Sequence, residues 1–147
     1  MKKKIALGFI ALLVIIQFIR IDKTNPAIVK ENDFISITNP PEHIQQMLKA
    51  SCYDCHSNES TYPWYTNVAP ISWWVKQHIN EAREELNFSE WGTFNVKRQK
   101  HKLEEGAEMI EEGEMPMSSY TLIHDNAKLS DTQKAELIAW FKTEKEK

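Results

Sequence analysis

The chain has 147 residues, about the length of one domain. Its formal net charge is −3, and the first 21 residues contain four basic side chains and no acidic ones. The rest of the chain therefore has 14 basic side chains (18 minus 4) against 21 acidic ones, a net charge of −7. An acidic surface of this kind argues against nucleic acid as a partner and is compatible with a basic partner protein.

The N-terminus has the pattern of an export signal. Lysines occupy positions 2–4, an apolar run covers positions 5–19 with Gln17 as its one clear interruption, and Arg20 follows. No small-x-small cleavage site comes after the run, so residues 1–21 are predicted to be a signal peptide or an uncleaved membrane anchor. The lysines would stay in the cytoplasm, which sends the rest of the chain across the membrane. A buried core helix is the alternative, but the run shows no polar stripe.

Beyond this segment the sequence predicts a linker and then one helical domain. Residues 22–40 contain turn-forming residues and prolines and are predicted to be extended, whereas residues 41–147 form the domain. Apolar spacing predicts four helices, which start near Pro41, at Ile71, at about Val96 and after Ser130. Long aromatic-rich loops separate them and leave a thin apolar core. We therefore expect a large apolar cofactor to complete the core.

Both cysteines of the chain lie in one short motif, in which Cys52, Cys55 and His56 form Cys-x-x-Cys-His. This pattern is typical of covalent c-type haem, because two thiols reach the two vinyl groups and the adjacent imidazole binds the iron. A thioredoxin-like site would need a βαβ context, and a zinc site would need a second pair of ligands at short spacing. The sequence offers neither. It predicts one haem, held by both cysteines, with His56 as the proximal iron ligand.

The ligand on the other face of the iron decides the function. Methionine or histidine there makes an electron carrier, whereas an open or displaceable position permits ligand binding or peroxidase chemistry. Met115 follows Gly113 in a loop and precedes Pro116, which prevents continuation of a helix. Met117 is its competitor at this position. Spacing and context make the other methionines and histidines weaker candidates: His43, His78, His101, His124, Met47 and Met109.

A proximal histidine usually donates its second ring nitrogen to an acceptor. The expected acceptor is a backbone carbonyl near Pro63 or Pro70. Most of the aromatic side chains are expected in the core, with some of them against the cofactor: Tyr62, Trp64, Tyr65, Trp73, Trp74, Trp91 and Trp140.

Several segments are shared with a known family: CYDCHSNES, YPWY, SWWV, LNFSEWGT and EMIEEGEMP. Over roughly residues 41–140 the chain resembles the haem-binding domain family of small exported bacterial c-type cytochromes. The resemblance implies an all-α, cytochrome c-like fold with about four helices around one covalent haem c. It assigns Cys52 and Cys55 to the haem thioethers, His56 to proximal ligation and Met115 to distal ligation.

The resulting hypothesis is a membrane-anchored mono-haem cytochrome that transfers single electrons between unidentified redox partner proteins. It would act as a carrier rather than as an enzyme. A haem-based sensor or peroxidase-type domain with a displaceable sixth ligand is the alternative. The expected location is the periplasmic side of the cytoplasmic membrane, with residues 1–21 as the anchor.

Overall fold

The computed structural model describes residues 2–147, and this part of the chain is helical without any β-strand. Its α-helices are α1 (Lys2–Ile15), α2 (Phe34–Thr38), α3 (Glu42–Ser51), α4 (Tyr53–His56), α5 (Ile71–Glu85), α6 (Val96–Glu111), α7 (Ser118–Thr121) and α8 (Asp131–Lys145). Short 3-10 helices occupy Ile16–Phe18, Lys30–Asn32, Trp64–Asn67, Phe88–Thr93 and Asp125–Ala127. The prediction of an all-α fold is confirmed.

The four long helices of the domain, α3, α5, α6 and α8, start where the sequence predicts them. The start of α8 is a capping box: the Ser130 hydroxyl accepts from the Gln133 amide (3.2 Å), and the Ser130 amide donates to the Gln133 side chain (2.9 Å). At the start of α6 the Asn95 side chain accepts from the amide of Arg98 (2.9 Å). Local sequence therefore fixes where these two helices begin.

The core forms mainly between α6 and α8, whose contact is the most extensive between any two helices. Leu103, Ala107 and Ile110 line one side of α6 at helical spacing, and Leu137 and Phe141 do the same on α8. All five belong to one buried cluster. Apolar burial at this contact outweighs the unfavourable charge order along α6, which is basic in its first half and acidic in its second.

Residues 22–40, for which the sequence predicts an extended linker, contain helix α2. The Asp33 side chain caps this helix by accepting from the amides of Ile35 (3.0 Å) and Ser36 (3.3 Å). Phe34 is fully buried, and its ring lies 4.9 Å from that of Phe88 and 4.7 Å from that of Trp91. Part of the predicted linker thus supplies a central residue of the core.

Helix α1 lies outside this core. All of its residues are exposed, including the large apolar side chains Ile5, Leu7 and Phe9. Within residues 2–147, no helix combines the length and the apolar composition that crossing a membrane requires.

Candidate functional site

One helical turn presents the three residues of the Cys-x-x-Cys-His motif. Helix α3 ends at Ser51, and the carbonyl of Cys52 then accepts from the amides of Cys55 (3.2 Å) and His56 (2.9 Å). The spacing of three residues puts the two cysteines on the same side of this turn. All three side chains line one cavity of about 320 Å³.

Both cysteines are free thiols, and their surroundings keep them protonated. Burial, together with the neighbouring Cys55, raises the pKa of the Cys52 thiol to about 12. Burial and the Asp54 carboxylate raise the pKa of the Cys55 thiol to about 11, although Arg83 partly opposes them. Thiol–disulfide exchange needs a thiolate with a lowered pKa, so this pair does not have the electrostatics of a redox-active Cys-x-x-Cys site.

His56 is held by the C-terminal end of α5. Its Nδ1 atom lies 3.1 Å from the carbonyl oxygen of Ala82 and 3.0 Å from that of Leu86. Carbonyl oxygens only accept, so Nδ1 carries the proton and Nε2 keeps its lone pair for a ligand. Burial lowers the pKa of the imidazole, against the opposing effect of these two hydrogen bonds, and keeps the ring neutral.

The expectation of a carbonyl near Pro63 or Pro70 as the acceptor of His56 is therefore wrong. The last carbonyls of a helix have no partner within it, so the end of α5 offers acceptors that a loop does not. The carbonyl of Leu86 is such a group, since Leu86 is the C-cap residue of α5.

Tyr53, between the two cysteines, points away from the cavity into the protein core. It is 2% exposed, and its ring stacks on that of Phe88 at 5.1 Å with an angle of 11° between the planes. Its hydroxyl donates to the carboxylate of Asp33 (3.1 Å to Oδ2), which also caps α2. Asp33, in the segment before the domain, thereby holds Tyr53 and the motif from the core side. An aspartate before an apolar run is a helix-cap signal, so Asp33 was detectable in the sequence.

A buried polar network joins the motif to the end of α5. The amide of Asn58 donates to the Ser89 hydroxyl (3.0 Å), and the Asn87 side chain donates to the Asn58 side chain (2.9 Å). Arg83 on α5 adds a hydrogen bond from Nε to the carbonyl of Ser57 (2.7 Å). Because α5 also carries the acceptors of His56, this network sets the distance between the imidazole and its carbonyls.

Apolar side chains form most of the cavity wall, and three methionines are among them. Met109 lies on α6, whereas Met115 and Met117 lie in the loop between α6 and α7. His78 of α5 also lines the cavity, and its Nδ1 lies 2.9 Å from the carbonyl of Trp74. The predicted site residues Cys52, Cys55, His56, Met115 and Met117 are thus gathered around one cavity, and Met109 and His78 belong to the same wall.

Other candidates from the sequence are not among the residues that line this cavity. Met47 is 6% exposed and belongs to the core, and His43 and His101 are exposed. His124 binds Tyr65 instead, with Nε2 2.7 Å from the hydroxyl.

The aromatic side chains that were expected in the core differ in burial. Trp91 is buried in the core, whereas Trp64 is 77% exposed.

The position of Met115 follows from the way α6 ends. Gly113 has a φ of 80°, its amide donates to the carbonyl of Ile110 (3.2 Å), and the amide of Glu114 donates to that of Met109 (2.9 Å). These two bonds define a Schellman motif, which stops the helix and turns the chain. The amide of Met115 donates to the same Met109 carbonyl (3.0 Å). The backbone of Met115 is thereby tied to the helix end.

The segment after the methionines is attached to the cysteine turn. Tyr120 of α7 lines the cavity, and its hydroxyl donates to Asp54 between the cysteines (2.6 Å). Burial and this hydrogen bond raise the pKa of the Tyr120 phenol, so it remains a donor at neutral pH. This hydrogen bond joins α7, which follows the methionine loop, to the turn that carries the cysteines.

A partly buried cation lies in the cavity wall. The side chain of Lys102 is 11% exposed, and its Nζ contacts the carboxylates of Glu105 (2.6 Å) and Glu85 (3.1 Å). Burial alone would lower the pKa of Lys102, but the two carboxylates outweigh it and raise the pKa. The ammonium group therefore stays charged beside the apolar wall.

The donor set of this cavity fits a haem. Two thiols on one helical turn, an imidazole with a free Nε2 and methionine thioethers across an apolar cavity are the groups that bind and ligate a porphyrin iron. No curated protein and no solved structure matches the chain. Residues 11–143, however, match the family model described as a haem-binding domain. The chain belongs to the haem-binding domain family.

Proposed function

We propose that the protein is a mono-haem c-type cytochrome that transfers single electrons between redox partner proteins. The observation that carries the proposal is the state of His56. Its Nδ1–H is held by two backbone carbonyls, and the ring lines the same cavity as two free thiols. A histidine in this tautomer has Nε2 available for iron. The two thiols would hold the porphyrin covalently as thioethers.

Each residue of the site has a role that follows from its surroundings. Haem, when bound, supplies the one-electron chemistry of its iron. Cys52 and Cys55 hold the cofactor, and the raised pKa values of both thiols protect them from oxidation before attachment. His56 is the proximal ligand, and the apolar wall keeps water away from the iron. Methionine as the second ligand would raise the reduction potential.

Met115 is the better of the two loop candidates for distal ligation. Its amide is tied to the end of α6, and its side chain packs partly buried against the core cluster. Met117 lies at the N-cap of α7, where its carbonyl accepts from the amides of Tyr120 and Thr121. The backbones of both methionines are thus fixed, but Met117 is not among the side chains that pack against the core cluster. A fixed thioether suits a carrier, because little then reorganises when the electron arrives or leaves.

The N-terminal segment supports a location at the membrane. Helix α1 begins with three lysines, and every residue of that helix is exposed and outside the core. We propose that residues 1–21 anchor the domain on the periplasmic side of the cytoplasmic membrane. The acidic remainder of the chain would then meet soluble redox partners there.

Covalent attachment is tested by producing the chain with a c-type haem attachment system. We expect the haem to stay with the chain during denaturing electrophoresis, and the double variant Cys52→Ala/Cys55→Ala to lose it. Glu59→Ala, on the same segment, should keep the haem. Loss of haem from the unmodified chain on denaturation would refute covalent attachment.

The distal ligand and the type of function are tested by absorption. The ferric protein should show the weak long-wavelength band of methionine-to-iron ligation, which Met115→Ala removes and Met117→Ala leaves in place. Carbon monoxide should bind the reduced Met115→Ala variant readily and the unmodified protein slowly. Rapid binding to the unmodified protein would instead support the sensor or peroxidase alternative with a displaceable ligand.

A further inference from the structure

Gln17 interrupts an otherwise apolar segment, and the export signal gives no reason for it. In the structure its side-chain amide pairs with the backbone of Ala69: Nε2 donates to the carbonyl (3.0 Å), and Oε1 accepts from the amide (2.9 Å). Only an amide side chain offers a donor and an acceptor together in this way. Gln17 therefore joins the end of α1 to the loop before α5.

Further hydrogen bonds extend this contact along the chain. Arg20 donates to the carbonyl of Asn67 (2.8 Å), and Lys23 donates to the Asn67 side chain (2.7 Å). The indole of Trp73 donates to the carbonyl of Ile19 (3.0 Å). We call the contacts of residues 17–23 with residues 67–73 the N-terminal clamp. It joins α1 to the domain at several points rather than through a free linker.

The clamp is continuous with the haem-attachment turn. The Asn25 side chain donates to the carbonyl of Ser60 (2.8 Å) and accepts from Arg83 (2.8 Å). The same Arg83 donates to the carbonyl of Ser57, which directly follows the proximal histidine. A line of hydrogen bonds thus runs from the N-terminal segment to the cofactor site. The orientation of α1 relative to that site is therefore set by the fold.

The surface beside the clamp is apolar. Val68 is 39% exposed, Ile71 47% and Trp74 46%, and all three lie within or next to the loop that the clamp holds. They add exposed apolar side chains at the loop to which the clamp attaches the end of α1. A tryptophan at such a boundary is typical of the interface between lipid and water.

Charge in the clamp, next to this apolar surface, favours anionic lipid headgroups. Arg20 and Lys23 belong to the clamp, and the ammonium groups of Lys23 and Lys76 lie 6.0 and 5.9 Å from the centre of the same ring, that of Tyr62. Asp22 is the acidic residue among them. This local basic excess contrasts with the net charge of −7 over residues 22–147. A bilayer with anionic lipids would attract this face and repel the rest of the domain.

We propose that the face formed by Val68, Ile71 and Trp74 rests on the lipid bilayer that receives α1, and that the N-terminal clamp holds the domain in that one orientation. This inference rests on the proposed anchoring by residues 1–21. It adds that the haem site has a fixed direction relative to the membrane. A redox partner would then always meet the same side of the domain.

The test uses the full haem-loaded chain in vesicles of phosphatidylethanolamine and phosphatidylglycerol that contain a phospholipid with a photoreactive headgroup. After illumination, mass spectrometry maps the cross-linked peptides. We expect peptides from residues 64–76 to carry several-fold more lipid than peptides from α8, which packs mainly on α6 and also on α3. Equal cross-linking of the two regions in vesicle-bound protein would overturn the orientation.

Two variants separate orientation from anchoring. Gln17→Leu makes the N-terminal segment more apolar, so the chain should still float with the vesicles, but the preference for residues 64–76 should fall several-fold. Gln46→Leu, at an exposed glutamine of α3, should leave it unchanged. An unchanged preference in Gln17→Leu would overturn the role of the clamp. A chain that fails to float would overturn both proposals, while the haem absorption of the same sample reports cofactor binding separately.

Discussion

The two sides of the cavity are built differently. On the His56 side, hydrogen bonds fix the imidazole, the turn and the end of α5, and Tyr53 extends them to Asp33 in the N-terminal segment. On the methionine side, the thioethers are carried by a loop whose ends are fixed by the Schellman motif at Gly113 and by the bond from Tyr120 to Asp54.

This difference concerns how firmly each side chain is held before any ligand binds. A ligand fixed through its own ring nitrogen and through a buried polar network loses little entropy on binding iron. Met115 is held only by the backbone bonds of its loop and by packing against the core cluster. Substitutions on the His56 side should therefore lower the free energy of unfolding strongly. Substitutions on the methionine side should lower it less and should mainly weaken binding of the methionine to iron.

The largest loss of stability is expected for Phe34→Ala, which removes a core ring that supports the His56 side of the cavity. Phe34 is fully buried and contacts Phe88, which supports Tyr53. A deletion of this size in a core costs about 3–5 kcal/mol in the free energy of unfolding. Urea unfolding followed by circular dichroism measures it. Ile37→Ala on the same short helix, where the side chain is 45% exposed, should cost less than about 1 kcal/mol.

Asn58→Ala tests the polar network itself. The substitution leaves the buried Asn87 side chain without its present acceptor and also removes the hydrogen bond to the carbonyl of Ala27, which is exposed. An unsatisfied buried group costs about 1–3 kcal/mol, so we expect the free energy of unfolding to fall by about 2–3 kcal/mol. The control is Asn80→Ala at an exposed position of α5. Equal stability of the two variants would mean that the network contributes nothing.

Gly113→Ala tests the methionine side. The glycine has a positive φ, and a Cβ there would meet no atom within 4 Å, so the cost is backbone strain alone. A residue with a side chain in this conformation loses roughly 1–2 kcal/mol. Thermal unfolding should show that loss, and the methionine-to-iron band should weaken. Glu112→Ala, one residue earlier, should change neither. A stronger effect on stability than that of Asn58→Ala would reverse the comparison of the two sides.

The smallest effect is expected for pH in the protein without haem. Burial holds the pKa of His56 below its value in the unfolded chain, so the unfolded state takes up the proton first as the pH falls. Stability from this group is therefore complete above the unfolded pKa of about 6.5 and declines below it, by at most about 1.4 kcal/mol per pH unit. His56→Gln should flatten the dependence of the unfolding midpoint between pH 7 and 5. His101→Gln, at an exposed histidine, should not.

The sequence predicted the features that have local signals. Ser130 and Gln133 mark the start of α8, and the apolar spacing after Ile71 marks α5. The structure also places Met115, the distal-ligand candidate, on the same cavity as the cysteine motif, although its role as a ligand stays a prediction. Signals of this kind depend only on residues a few positions apart.

Features that depend on packing were not predicted. The carbonyls of Ala82 and Leu86 that hold His56 carry no sequence signature, because every residue has a carbonyl. Phe34 was assigned to a linker, since five helical residues are too few for a periodic pattern. Met109 faces the cavity because α6 packs with that side towards it, and helix rotation is decided by the whole core.

The attachment of His56 to the end of α5 has an electronic consequence. The C-terminus of a helix has a partial negative charge, and the 15 residues of α5 direct theirs at Nδ1. An imidazole polarised in this way is a stronger electron donor through Nε2 and favours the oxidised metal. In the proposed haem complex, a methionine ligand would have the reverse effect. The histidine side would therefore lower the reduction potential and the methionine side would raise it. Residues that do not contact the iron could adjust each of the two effects.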